Sequence, residues 1–323
     1  MIEADVRSTF EAEVESGRVD LSLGLERAAA ALMAHAAFVD PRAVPAVFDS
    51  LARAFLDEAP AARAPALRAG LPLLAQGSPA ARALPRPLWE AFWAIAGVMP
   101  QGPVDPLAFT TSVVALGIHY DTELLDRCEA ALLDWPCVQR LLAEEEVRMK
   151  TADLAGRPPD SLGSELLRML EAQGYDLEVI DADTVVLPGP YPAQNRTNRR
   201  ILQLHDVWHL VAGYGFTGAG EVAISGFQLA QFGQNYSARF LATVATLLAF
   251  HAPPVAEPML RVMLDGWRHG RETPPLIQQP WHRLLDRPID ALRAELGIRP
   301  FESAAASMFE AMERAQKAAA AAA

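Results

Sequence analysis

The chain is expected to fold as an all-α protein, a bundle-like core of helices with one short β-hairpin near residues 177–187. Three observations lead there: Ala, Leu, Glu and Arg dominate the sequence, apolar residues recur at three- and four-residue spacing, and prolines mark the breaks between such stretches. Helices are accordingly predicted near 21–39, 44–56, 87–98, 122–133 and 138–150, with proline-rich joints at 60–65, 79–87 and 100–106. From Ser161 the pattern sharpens, because Ser161 opens an amphipathic stretch through Gln173 that Gly174 closes. Two β-branched runs, 177–180 and 184–187, follow and are joined by Asp181-Ala182-Asp183, which predicts the hairpin. The stretch 188–198 (PGPYPAQNRTN) reads as a polar loop. Beyond it, helices are predicted at 200–212, 222–232, 238–250, 258–269 and 289–296, and the Ala-rich end 315–323 reads as a frayed helix or disordered tail.

Composition limits what the protein can do. With 323 residues, 51% hydrophobic and 21% charged, the chain can build a large core, and its net charge of −12 offers no footprint for a polyanion, so no nucleic-acid partner is expected. The first residues are acidic and polar, unlike a secretory signal, which predicts a cytoplasmic protein. The longest apolar stretch, 240–252, is well short of the roughly twenty residues that span a bilayer, although a peripheral contact with the inner face of the membrane is compatible with it. Cys128 and Cys137 belong to no ligand cluster and read as ordinary helical residues. Glu144-Glu145-Glu146 reads as an exposed helix face, and His35, His119, His251, His269 and His282 each stand alone and read as structural or surface residues.

One constellation carries chemistry: His205-Asp206-x-x-His209, then Glu221 after eleven intervening residues. On a helix, His205, Asp206 and His209 fall at about 0°, 100° and 40°, on one side of a segment that is apolar around nearly its whole circumference. Burying two imidazoles and a carboxylate is costly unless they are paired, and a divalent cation pairs all three. Gly213, Gly215, Gly218 and Gly220 then let the backbone fold back and bring Glu221 to the same spot. The alternative is a core His pair bonded to Asp206 without metal. As metal ligands the candidates are His205, Asp206, His209 and Glu221, with Asp206 or Glu221 able to act as catalytic base if displaced. Arg199 and Arg200, about a turn before His205, are candidates for gripping a substrate carboxylate, with solvated surface roles as the alternative. The apolar stretches 222–232 and 238–250 fit either core packing or the wall of a lipid cleft.

The spacing His-Asp-x-x-His-x11-Glu resembles the signature of the ubiquinone (coenzyme Q) biosynthesis protein 4 family, matched here by His205, Asp206, His209 and Glu221. Asp160-Ser161-Leu162-Gly163 and the stretch 288–298 (PIDALRAELGI) resemble two flanking segments of that family. The resemblance covers roughly residues 135–300. It divides the chain into an N-terminal helical region, 1–134, a metal-binding helical domain, 135–302, and a C-terminal helix and Ala-rich tail, 303–323. It implies a mostly helical protein that binds Zn²⁺, takes a polyprenylated quinone precursor into an apolar cleft, and works beside other ubiquinone-biosynthesis enzymes at a membrane, with a homodimer as a further assembly. The implied reaction removes the C1 carboxylate of a polyprenylated 4-hydroxybenzoate-derived ring and hydroxylates that carbon. The sequence also departs from the family pattern. Only Arg200 remains of a charged approach to the first His, His282 stands where an acidic residue follows the closing Trp281, and Ser225 and Gln228 stand where Lys and Glu are frequent.

Zinc has no redox chemistry, and two His plus a carboxylate also suit Fe²⁺, so both metals are carried forward. Two other functions compete with the enzyme: a lipid-binding scaffold whose metal is structural, and a His-Asp metal phosphohydrolase. The second lacks an evident upstream His motif and a phosphate-cradling glycine loop.

Overall fold

The computed structural model describes residues 2–75, 82–99, 106–178, 183 and 186–322, which form fifteen α-helices and no strand. In chain order these are α1 (Ala4–Ser16), α2 (Leu25–Phe38), α3 (Val44–Ala52), α4 (Arg63–Ala75), α5 (Arg86–Ala96), α6 (Pro106–Ala115), α7 (Thr122–Leu133) and α8 (Pro136–Ala143). Then follow α9 (Leu162–Gln173), α10 (Pro192–Ala212), α11 (Gly218–Phe232), α12 (Asn235–His251), α13 (Pro253–Glu272), α14 (Ile289–Leu296) and α15 (Ala304–Ala322). The all-α expectation holds.

The hairpin expected over 177–187 is not seen. Leu177, Glu178 and Asp183 lie in turns and Val186–Leu187 in irregular chain, while 179–182 and 184–185 fall outside the described residues. Among the described residues the sole β-type pairing is an isolated bridge between Ser161 and Pro288. Parts of the proline-rich joints, at 79–81 and 100–105, also fall outside the described residues.

Helices α2 and α12 form the spine of the N-terminal half. Helix α2 is buried from Ala28 through Phe38, and its alanines let α12 approach along it. Around them Phe10, Phe38, Phe92, Trp93 and Phe250 pack edge to face, with Phe10 and Phe250 ring centres 5.5 Å apart. The described residues before 135 therefore share one continuous core with those after it, reinforced by Asn235 Nδ2 donating to the Ala37 carbonyl at 2.8 Å and Trp267 Nε1 to Asp49 at 2.8 Å.

In the C-terminal half α11 and α13 cross at backbone contact. A Cβ at Gly266 would strike the Ala223 carbonyl, one at Gly226 the Met263 carbonyl and one at Gly270 the Phe227 carbonyl. The stretches considered as a lipid-cleft wall are core here: α11 is buried along nearly its whole length, and α12 packs on α2 and α11.

Helix α9 follows the sequence prediction closely. Ser161 Oγ accepts from the Ser164 amide at 3.3 Å, and Gly174 ends the helix at φ 76°. Two other predictions need correction. The stretch 188–198 is not all loop, because α10 starts at Pro192; the Glu129 carboxylate on α7 accepts from the Ala193 and Gln194 amides at 2.7 and 3.0 Å and caps the helix from outside. Glu144-Glu145-Glu146 is not a helix face, because α8 ends at Ala143. Arg196 on α10 donates to the carbonyls of Leu141, Glu144 and Glu145, which satisfies that end.

Candidate metal centre

Helix α10 is buried on most sides and carries His205 and His209 one turn apart on the face toward α11. Gly213 ends it in the left-handed region at φ 78°, where a Cβ would also press on Pro300 at 3.1 Å. The returning turn is closed by Thr217, whose hydroxyl accepts from the Gly220 amide at 3.1 Å, and a Cβ at Gly220 would collide with the Gly215 carbonyl. Glu221 thereby enters in the first turn of α11, where the helix dipole favours a carboxylate.

The result is a tight triangle. His205 Nε2 and His209 Nε2 are 3.0 Å apart, Glu221 Oε2 is 3.1 Å from the former, and Glu221 Oε1 is 3.2 Å from the latter. Ligand atoms of these three residues all lie within 4.8 Å of one another. His209 is fully buried, whereas His205 and Glu221 keep 28% and 38% side-chain exposure, so the triangle opens on their side. Phe216 stacks on His209 with ring centres 4.3 Å apart and shuts the other side.

Asp206 is not part of the triangle. The quarter-turn offset between neighbouring helix positions aims it sideways, where Tyr175 Oη donates to its Oδ1 across a long 3.5 Å. Arg199 and Arg200 are also committed elsewhere. Arg199 makes a two-pronged ion pair with Glu146 at 2.8 and 2.9 Å, and Arg200 donates to the Ile277 and Gln279 carbonyls at 3.1 and 2.7 Å. Of the remaining histidines, His35 Nδ1 contacts the Val14 carbonyl at 2.7 Å, and His269 bridges Tyr214 Oη and the Arg299 carbonyl at 2.6 and 2.7 Å. Both hold the fold together.

Sequence reasoning missed Tyr175, and it named Gln228 without giving it a role. Gln228 Nε2 lies 2.7 Å from His205 Nδ1. The signal was available, since Gln228 is seven residues after Glu221 and two helical turns return it to the same face. Nothing in the sequence marks Tyr175, which reaches the site from the turn after α9.

Electrostatics follow from this packing. Burial pulls the His205 imidazole down, and the hydrogen bond and charge of Glu221 outweigh it, so His205 titrates above its ordinary range. For Glu221, burial pushes upward while the two histidines pull harder and hold its carboxyl far below the usual range. These are two sides of one interaction. Burial first, then the charges of Asp206 and Glu221, push the Tyr175 phenol well up, so it stays protonated.

The donor set fits a small divalent cation. Bonds of about 2.0–2.1 Å at the tetrahedral angle separate ligand atoms by about 3.3–3.4 Å, and the spacings of 3.0, 3.1 and 3.2 Å here are within a few tenths of that. Three protein ligands would leave a fourth position for water or substrate.

Fold and site together define an all-helical protein with a His₂-carboxylate centre suited to a metal ion. A model of the coenzyme Q (ubiquinone) biosynthesis protein Coq4 family matches residues 103–302, and the chain belongs to that family. The match begins some way before residue 135, where the resemblance in sequence was drawn, and takes in α6 and α7. Among relatives, the mitochondrial ubiquinone biosynthesis protein COQ4 of Eremothecium gossypii is 30% identical over 168 residues, 50% of each chain. That of Komagataella phaffii is 27% identical over 188 residues, 54% of this chain and 57% of the relative. The chain thus spans about half the length of the curated relatives it matches. A crystal structure from Nostoc punctiforme PCC 73102, of a protein provisionally assigned to ubiquinone biosynthesis, covers 66% of this chain and 97% of its own at 23% identity and a TM-score of 0.51. It shares the fold. Among the described residues no helix is long and apolar enough to cross a membrane.

Proposed function

We propose that this protein acts in ubiquinone biosynthesis as a metal-dependent enzyme on a polyprenylated 4-hydroxybenzoate-derived acid, removing the C1 carboxylate and hydroxylating that carbon. The observation that carries the metal part is the convergence of His205 Nε2, His209 Nε2 and the Glu221 carboxylate, three acceptor-type groups that a cation satisfies together. His205, His209 and Glu221 would hold the ion, Zn²⁺ by preference and Fe²⁺ as the alternative, because both suit this donor set. When bound, it supplies a positive centre for the substrate's oxygens and for negative charge developing on the ring as carbon dioxide leaves. Family membership supports the pathway, and the relatives' names carry it.

The chain's own residues have separate tasks. His209, buried against Phe216, fixes one corner of the site, and the exposed side of His205 and Glu221 admits the substrate. Asp206, outside the triangle and accepting from the protonated Tyr175, would take a proton as general base. Exchange of carboxylate for hydroxyl removes two electrons from the ring; with dioxygen as the oxidant the step balances when water supplies the hydroxyl oxygen and dioxygen leaves as hydrogen peroxide beside carbon dioxide. Membrane contact, other biosynthetic enzymes and a homodimer are the partners proposed with this role.

Turnover of a short-chain polyprenyl 4-hydroxybenzoate-type acid by purified protein, with and without dioxygen, tests the proposal. Carbon dioxide release that needs His205, His209 and Glu221 supports it. Undiminished release in an E221A variant contradicts the metal part, and none from protein loaded with either metal contradicts the reaction and favours the scaffold reading.

A further inference from the structure

A metal can bind His205 through Nε2 only if the ring's one neutral-state proton sits on Nδ1, so whatever faces Nδ1 decides whether the centre is ready for an ion. That neighbour is Gln228, which is 2% exposed and begins a buried polar chain running away from the site. Its Oε1 is 3.4 Å from Ser237 Oγ, Ser237 Oγ is 3.2 Å from Gln234 Oε1, and Gln234 Nε2 donates to Asn198 Oδ1 at 3.2 Å. Ser237 is fully buried and Gln234 is 4% exposed, so no bulk water is available to repair a mismatched link.

Counting protons leaves two ways for the chain to run, and the metal reading of the centre selects one. The two ends of a carboxamide have the same outline, and their assignment follows from the partners. With the Gln228 amide nitrogen toward His205, the single hydroxyl proton of Ser237 would face two carbonyl oxygens, those of Gln228 and Gln234, and could serve only one. Reversing Gln234 together with Asn198 would repair this with His205 Nδ1 bare, whereas reversing Gln228 alone makes every link with the Nδ1 proton that metal binding through Nε2 requires: His205 Nδ1–H donates to Gln228 Oε1, Gln228 Nε2–H to Ser237 Oγ, Ser237 Oγ–H to Gln234 Oε1, and Gln234 Nε2–H to Asn198 Oδ1.

We propose that Gln228 is a positioning residue whose carboxamide, oriented by Ser237 and Gln234, holds His205 in the Nδ1–H form and leaves Nε2 bare toward His209 and Glu221. The inference rests on the metal reading of the centre. His209 is served in the same way by a simpler device, its Nδ1 lying 3.2 Å from the Tyr214 carbonyl, which can only accept. Both imidazoles then present lone pairs across 3.0 Å, an arrangement that favours a cation between them. A carboxylate at position 228 would do the same work more strongly, so Gln is a neutral version of the histidine-orienting group.

The test uses the full chain, wild type and the variants Q228L, Q228E and S237A. Zinc affinity is read by chelator competition, thermal midpoint by calorimetry, and the His205 tautomer by nitrogen NMR of the metal-free protein at a pH where the ring is neutral, assigned with H205A. Q228L is expected to weaken zinc binding about ten- to a hundred-fold, as loss of a ligand-orienting partner does, and Q228E to bind at least as tightly as wild type. A destabilisation unrelated to the metal would move the midpoint without separating Q228E from Q228L in affinity, and that pattern overturns the proposal. Equal zinc affinity in wild type and Q228L overturns it too, while leaving the metal centre standing. If the wild type binds no zinc, the metal reading falls, and the tautomer decides alone: Nδ1–H sustains the role of Gln228 and Nε2–H overturns it. Should Q228L fail to fold, S237A carries the test through a smaller affinity loss and a mixed tautomer signal, and wild-type behaviour in both overturns the proposal.

Discussion

His205 Nε2 and His209 Nε2 stand 3.0 Å apart, while the Nδ1 atom of each ring is occupied by a separate partner, Gln228 for the first and the Tyr214 carbonyl for the second. Two ring nitrogens at that distance repel unless a proton or a cation lies between them. Glu221, reaching both, adds negative charge where two lone pairs already meet, and a cation bound by all three would offset it, as a proton on His205 does in the metal-free protein.

The two carboxylates of the motif are expected to separate in experiment. E221Q should lower zinc affinity by more than the about ten- to hundred-fold typical of an outer partner, because it removes a donor from the triangle. D206N should leave zinc affinity within a few-fold of wild type and reduce turnover, because Asp206 faces Tyr175. Chelator competition and a turnover assay on both variants check this, and equal loss of zinc in the two would place Asp206 in the metal shell.

Stability should depend on pH with opposite signs in the metal-free and metal-loaded protein. In the metal-free form the His205 pKa is raised by Glu221, so this pairing contributes stability that is full below the unfolded histidine value of about 6.5 and is lost as pH rises through the higher folded value. Metal binding competes with that proton, so stabilisation by added zinc should grow over the same rise. Thermal unfolding at several pH values, with chelator and with zinc, reads both trends; parallel curves would mean that His205 is not the linked group.

How much of this was legible beforehand depends on the range of each signal. Helices α7, α9 and α14 were readable because their caps and periods are local, as with Ser161 and Gly174 around α9. The start of α10 was not, because its cap is Glu129, more than sixty residues earlier in the chain, and a polar segment with three prolines otherwise reads as loop. His205, His209 and Glu221 were legible from spacing and a glycine turn. The position of Asp206 was only half legible: an offset of about 100° still counts as one face on a helical wheel, yet it is enough to send the side chain to Tyr175.

Arg199 and Arg200 illustrate a different limit. Their neighbours in sequence gave no hint that Arg200 holds the carbonyls of Ile277 and Gln279 or that Arg199 meets Glu146. R200A is therefore expected to cost about 1.5–3 kcal/mol of stability, the range for hydrogen bonds from a charged donor, with the KM for an acidic substrate unchanged. A raised KM at unaltered stability would return Arg200 to the substrate.

Helices α11 and α13 cross at backbone contact, so filling the crossing should be felt in stability. G266A places a methyl against the Ala223 carbonyl and should destabilise the fold by at least the about 1–3 kcal/mol of an overpacked core. Gly218, where a Cβ would meet open space, serves as the control: G218A should change stability little. Denaturant unfolding of both variants checks the contrast.

The most direct test of the metal centre is elemental analysis of tag-free protein purified without chelator, beside H205A, H209A and E221A. About one zinc or iron per chain in the wild type, and loss of it in all three variants, is the predicted result. A wild type free of metal that also takes up neither zinc nor iron on titration would contradict it, and would leave His205, His209 and Glu221 as a hydrogen-bonded cluster in a scaffold protein.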